Sequence, residues 1–135
     1  MSGPMAVLIL ERIFGAGSLA ALRTAVAERV SGAGVAPERV GDVVIAVHEL
    51  AANAVRHGAG RGVARIWRKG PCLCCVVSDD GPPREAAAAA AASWPEPAGH
   101  GLWLARQIAD EFSVVTGEGG TLARACFAIT GRSPG

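Results

Sequence analysis

Apolar and polar residues follow one another along this chain with two periods, and each stretch keeps to one of them. From Val43 to Gly58 (VVIAVHELAANAVRHG) the apolar residues Val43, Val47, Leu50 and Ala54 recur at steps of four, three and four, the period of an amphipathic helix. Glu49, Asn53 and His57 recur at steps of four on the neighbouring stripe, because residues four apart stack along a helix. Pro37 suits the first turn of this helix and Gly58 its end. An earlier helix is predicted from Leu19, Leu22, Val26 and Val30, with Ser18 as its N-cap and Gly32 and Gly34 closing it. Before it, Met5 to Phe14 (MAVLILERIF) reads as a strand that lies on a sheet edge.

A period of two takes over downstream. Arg61 to Trp67 (RGVARIW) puts Val63, Arg65 and Trp67 on one face and Ala64 and Ile66 on the other. The turn Lys69-Gly70-Pro71 joins it to an apolar strand, Cys72 to Ser78 (CLCCVVS), which predicts a hairpin. Arg84 to Ala98 includes seven consecutive alanines, Ala86 to Ala92, a run too short to be a stable helix without packing. Trp94-Pro95-Glu96-Pro97 breaks any helix there. The stretch at about 82–98 is read as a mobile lid, with a plain surface loop as the alternative. Gly99-His100-Gly101-Leu102 then opens a last helix, whose buried stripe is Leu102, Ala105, Ile108, Ala109 and Phe112. Phe112 to Thr116 starts another strand, Gly117 to Gly120 turns, and Thr121 to Thr130 alternates to make a second hairpin. This order predicts an α/β two-layer sandwich, with helices on one face of a mixed, mostly antiparallel sheet.

Composition narrows the function classes. A chain of 135 residues, half of them hydrophobic, fits a single domain over residues 1–135 with a real core. A formal net charge of +1 lacks the basic footprint of a nucleic-acid binder. No apolar run reaches membrane-spanning length and the start of the chain lacks a signal-peptide pattern, so no membrane contact and a cytoplasmic location are expected. Of the four cysteines, Cys72, Cys74 and Cys75 crowd one strand and Cys126 lies far off, which is not the paired spacing of a zinc site. They are expected to be buried reduced thiols without a functional role.

Three signals carry chemistry. Glu49 and Asn53 hold a carboxylate and a carboxamide one turn apart, a pair suited to a magnesium-phosphate site or equally to a solvated polar face. Asp79, at a strand end before Gly81, either points into a pocket to accept from an exocyclic amine or belongs to an ordinary Asp-Gly-Pro turn. Gly99 and Gly101, at a helix start, permit an anion to approach free backbone N–H groups, though many helices begin with glycine. Their order along one chain is more specific than any of the three.

Glu49-x-x-x-Asn53 within ELAANAVRHG, Asp79-x-Gly81 and Gly99-His100-Gly101-Leu102 together resemble the motifs of the GHKL ATPase superfamily. Within it, the chain is most similar to the small anti-sigma-factor serine kinases of the RsbW and SpoIIAB type, over nearly its whole length. The resemblance implies a Bergerat-type sandwich that binds ATP and Mg2+. It implies Glu49 as general base toward a protein serine and Asn53 as the residue that holds magnesium against the phosphates. Asp79 and Gly81 correspond to the first glycine box, where the aspartate binds the adenine amine. Gly99, His100, Gly101 and Leu102 correspond to the second, whose backbone meets the phosphates, and Thr121 to a threonine whose hydroxyl helps hold adenine. The implied partners are a sigma factor and a STAS-domain anti-anti-sigma protein, met by a homodimer.

One position departs from that pattern. The family's first box reads Asp-x-Gly-x-Gly, and here Pro83 replaces the second glycine, bringing neither positive φ nor an N–H. The lid is rich in alanine, which leaves Arg84 and His100 as the nearby cations for phosphate. The alternative to a kinase is therefore a nucleotide-binding partner-switch protein that sequesters a sigma factor without phosphoryl transfer. A histidine-kinase catalytic module is disfavoured, since no helix bearing a phosphoacceptor histidine precedes the domain and His48 and His57 lie within the motif helix. An interaction domain with no ligand is the remaining alternative.

Overall fold

The computed structural model describes residues 6–57, 59–79, 100–117 and 120–129. Strand β1 (Ala6–Gly15) leads through one 3-10 turn (Ala16–Ser18) into helix α1 (Leu19–Gly32), and helix α2 (Pro37–His57) follows. Strands β2 (Arg61–Lys69) and β3 (Cys72–Asp79) come next, then helix α3 (His100–Ile108) and strands β4 (Glu111–Gly117) and β5 (Gly120–Ala128). The strand order is β1-β2-β3-β5-β4, and every neighbouring pair is antiparallel.

The expected two-layer α/β sandwich is what forms, with one correction. The sheet was expected to be mixed, yet the described strands include no parallel pair. Strands β2 and β3 are joined by a tight turn, as only antiparallel neighbours can be.

The helices lie on one face, with α1 against β1 and α2 against β2, β3, β5 and both other helices. Period two then sorts the sheet. Leu73, Cys75, Val77 and Asp79 point into the helix layer, while Cys72, Cys74, Val76 and Ser78 take the other face. Ala64 and Ile66 do the same on β2. They meet Val26 and Val30 of α1 and Val43, Val47 and Leu50 of α2 in one continuous core. Burying each such aliphatic side chain is worth roughly 1.5–3 kcal/mol, so α2 anchors the layer.

Local expectations fail where tertiary contacts intervene. Ser18 occupies the N-cap position of α1 but makes no cap bond. Its hydroxyl instead accepts from the Gly15 N–H at 2.8 Å, serving the preceding turn. The last helix was predicted to run to Phe112, yet α3 ends at Ile108 and Phe112 belongs to β4. Asp110 stops it: its N–H donates to the Cys126 carbonyl (2.9 Å), and its Oδ2 accepts from the Ala128 N–H (2.7 Å) and from Arg39 Nη2 (2.6 Å). The cysteines also depart from expectation. Cys74 and Cys126 form a disulfide between neighbouring strands, Cys72 is exposed, and Cys75 alone is a buried free thiol. The antiparallel register sets Cys74 directly opposite Cys126.

Two tests follow from this packing. Arg39 ties the start of α2 to the far end of the sheet, donating to Asp42 (2.9 Å), Asp110 (2.6 Å) and the Ala128 carbonyl (3.2 Å), with its guanidinium 5.1 Å from the Phe127 ring centre. Arg39→Ala is expected to cost about 2 kcal/mol in urea unfolding, and Arg39→Lys most of that, because a lysine cannot span the same forked contacts. A loss below about 0.5 kcal/mol would show that the clamp is only a surface ion pair.

Burial pushes the Cys75 thiol from its ordinary value of 9.0 up to about 12. A group whose folded pKa is raised keeps its full contribution below the unfolded value and loses it as pH climbs toward the folded one. Melting temperature should therefore fall between pH 9 and 12, a window in which the chain has no tyrosine, one lysine (Lys69) and one other free thiol (Cys72). Cys75→Ala should flatten that fall; equal slopes in the two proteins would refute the assignment.

Candidate functional site

Helix α2 carries the first part of the site. Its apolar face buries Leu50, Ala51, Ala52 and Ala54, and this run takes Asn53 down with it to 7% exposure. The sequence pattern placed Asn53 at the edge of the apolar surface; the structure places it inside. Its Oδ1 is buried and has no hydrogen-bond partner among the described residues. A buried acceptor left unpaired costs roughly 1–3 kcal/mol, so it marks a place prepared for a ligand that supplies the missing partner. Glu49 stands one turn earlier and is half-buried, at the margin between the helix layer and solvent.

Strand β3 carries the second part. Because Leu73, Cys75 and Val77 point inward, Asp79 does too, and it is 8% exposed. Its register partner across β3 and β5 is Thr121. The Thr121 Oγ1 is, like Asn53 Oδ1, buried without a partner among the described residues. Asp79 and Thr121 also border an open hollow of about 290 Å3 at the strand ends, whose other walls, Ser78, Val115 and Leu122, belong to the helix-free face of the sheet. Gly120, at φ +122°, opens β5 on the rim of this cavity in a conformation that favours glycine.

Helix α3 opens at His100, so Gly101 and Leu102 lie in its first turn, where the backbone N–H groups have no partner within the helix. Helix α2 packs against both β3 and α3. The helix of Glu49 and Asn53 thus lies between the strand that ends at Asp79 and the helix that opens at His100. Gly81, Gly99, Pro83, Arg84 and the expected lid at 82–98 lie outside the described residues.

Among the described residues no group of three or more His, Cys, Asp or Glu is set to hold a metal. Asn53 offers one amide oxygen, with the Glu49 carboxylate one turn away on the same helix. That suits a magnesium ion held mainly by phosphate and water oxygens, which needs only one or two protein ligands. The orphaned oxygens of Asn53 and Thr121 therefore fit a nucleotide with its divalent ion.

Residues 16–127 match the family described as the histidine kinase-like ATPase domain. The chain belongs to that family. No curated protein matches it in sequence. Among solved structures, this histidine kinase-like domain is similar to the RsbU and RsbW domains of Rv1364c from Mycobacterium tuberculosis, with 18% identity and a TM-score of 0.65. It is also similar to the histidine kinase domain of the blue-light activated histidine kinase EL346 from Erythrobacter litoralis, with 25% identity and a TM-score of 0.49. The first match covers 89% of this chain and 32% of that one; the second covers 67% and 44%. The domain thus spans less than half the length of either structure. At its level of identity the first likeness establishes the fold. No helix among the described residues is long and apolar enough to cross a membrane.

Sequence reasoning missed the disulfide. A signal for it was present: Cys74 lies five residues before Asp79 and Cys126 five after Thr121, so pairing Asp79 with Thr121 in an antiparallel ladder also pairs the cysteines.

The unpaired hydroxyl yields a test that separates site from scaffold. Thr121→Val replaces a buried orphan oxygen with a methyl of similar shape, so the ligand-free protein should gain up to about 1 kcal/mol in thermal unfolding. The same change should weaken ATP binding. A variant both less stable and unaltered toward ATP would show that the hydroxyl has a structural partner instead.

Proposed function

We propose that this histidine kinase-like domain is an ATP- and magnesium-dependent protein serine kinase of the anti-sigma type. Its acceptor would be a STAS-domain anti-anti-sigma protein, and the domain, as a cytoplasmic homodimer, would also sequester a sigma factor. The observation that carries the nucleotide half is the pair of buried, partnerless oxygens, Asn53 Oδ1 and Thr121 Oγ1, on elements that pack together. The family supports the same half. The kinase half and the partners rest on the motif resemblance.

Bound MgATP would supply a transferable phosphoryl group and a divalent charge beside it. Asn53 would give its amide oxygen to the metal, and Asp79 would accept from the adenine amine while the Thr121 hydroxyl supports the same base. Backbone N–H groups of Gly101 and Leu102 would face phosphate oxygens at the positive end of α3. Glu49, half-buried one turn from Asn53, would take the proton leaving the acceptor serine. Phosphorylation would place about −1.5 to −2 charges next to Glu49, and like-charge repulsion would release the acceptor.

A second reading is a nucleotide-binding switch protein without transfer. Pro83 in the first glycine box favours it, because lost lid contacts lower the rate more than they lower affinity.

Labelled ATP, magnesium and purified STAS-domain acceptors decide between the two. The kinase reading expects label on an acceptor serine, reduced at least 100-fold in Glu49→Ala with ATP affinity retained. Calorimetry should show Asn53→Ala weakening ATP only when magnesium is present, and Asp79→Asn weakening it about tenfold or more in either case. Tight ATP binding with no label supports the switch, and absence of ATP binding rejects both.

A further inference from the structure

An antiparallel sheet with helices on one face and water on the other alternates apolar residues inward with polar residues outward. The outward positions of this sheet break that rule. Register aligns Ile13, Val63, Ser78, Leu122 and Val115 in one row across all five strands, on the face away from the helices. The next row is Glu11, Arg65, Val76, Arg124 and Ser113, and the third is Leu8, Trp67, Cys74, Cys126 and Glu111. Six large hydrophobic side chains are exposed among the described residues, and four of them stand in these rows: Ile13 (78%), Val115 (62%), Leu8 (41%) and Leu122 (41%). Val63, Trp67 and Val76 lie between them, half-buried. An apolar face that runs from one sheet edge to the other marks an interaction surface rather than scattered exposure.

The chemistry of the face selects its occupant. The charges in these three rows are two carboxylates, Glu11 and Glu111, and two guanidinium groups, Arg65 and Arg124. Arg65 Nε already donates to Glu11 Oε2 at 2.7 Å. A surface of one sign would repel its own kind and select an oppositely charged partner, whereas a balanced one can lie against itself. Extent agrees. Strands about 4.8 Å apart and outward rows about 7 Å apart outline roughly 500 Å2 over the five-stranded sheet. Two copies then cover on the order of 1,000 Å2, the threshold for a specific interface. Val76 stands at its centre with Trp67 diagonally beside it, the apolar middle that a subunit contact needs.

We propose that the helix-free face of the sheet is the interface of a two-fold homodimer, two sheets packed face to face with the helix layers outside. This interface rests on the homodimer of the proposed function and gives that dimer its surface. Sheets packed this way stand about 10 Å apart with their strands roughly 30° from parallel, so Ile13, Val115, Leu8 and Leu122 of both copies leave water together. A two-fold contact uses the same patch on each copy, so every substitution in it acts twice. Asp79 points into the helix layer and Thr121 is its register partner, so both nucleotide sites stay with the outer layers.

The test is sedimentation velocity on the full chain carrying Cys72→Ser, which excludes a dimer joined through that exposed thiol. Over about a hundredfold range of concentration this parent should pass from monomer to dimer. Ile13→Glu and Val115→Glu, on the two edge strands, should each raise the dissociation constant at least about 100-fold, because two carboxylates per dimer would be buried without partners. Both positions are exposed in the single chain, so circular dichroism should show each variant folded. Ser113→Arg, which sets a second cation beside Arg124, takes the place of one that is not. Ile45→Glu, at an exposed position of α2, should leave the equilibrium unchanged. A dimer that survives in the face variants, or that is lost in Ile45→Glu alone, overturns this interface while the homodimer stands. A parent that stays monomeric throughout overturns both.

Discussion

The pairing of β3 with β5 sets most of what this domain can do. Opposite one another stand Leu73 and Phe127, Cys75 and Ala125, Val77 and Ala123, all buried against the helices. Leu73 meets the large Phe127, whereas Cys75 and Val77 each meet an alanine. A slip by one residue would turn this whole set to solvent and bring Val76 and Ser78 inward. The same register places Asp79 opposite Thr121 and Cys74 opposite Cys126. Core packing, the candidate adenine contacts and the disulfide are therefore three readings of one ladder.

Against that ladder lies α2, which breaks a local rule. A helix face that buries Val43, Val47 and Leu50 also buries Asn53 with an unpaired oxygen. The unpaired oxygen costs roughly 1–3 kcal/mol, while three aliphatic side chains return roughly 1.5–3 kcal/mol each, so the helix tolerates it. Local inconsistencies of this kind collect at functional sites. Thr121 repeats the arrangement on the sheet side, and two independent orphans on packed elements are harder to assign to scaffold than one.

Elements defined by their own periodicity were legible in the sequence. The steps of α2 and the alternation of β2 and β3 carry their burial pattern within a few residues, and the structure keeps it. What depended on distant partners was not legible. The helical stripe of α3 continues to Phe112 in sequence, but Asp110 is drawn off by Arg39 and the end of β5, and the chain turns to strand there. Ser18 has the right type and position for a cap, yet its hydroxyl closes the preceding turn. Antiparallel pairing throughout, and the disulfide that pairing creates, are properties of register, which no single stretch contains. Asp79, Asn53 and Thr121 were identifiable as site candidates; that the last two are buried without partners required the packing.

The site is thus assembled in two halves with different supports. Glu49 and Asn53 ride on a long helix fixed by the core between α1, α3 and the sheet. Asp79 and Thr121 are fixed by strand register, and the backbone of Gly101 and Leu102 by a nine-residue helix packed against α2. A ligand long enough to run from an adenine pocket to a metal-bound phosphate must touch both halves at once. Its affinity then depends on how much order the second half already has before the ligand arrives, and its chemistry on how well the first half is aligned with the second. Loss of a core contact under α2 acts on alignment, whereas loosening of the β3–β5 ladder acts on order, and the two should separate as effects on transfer rate and on affinity.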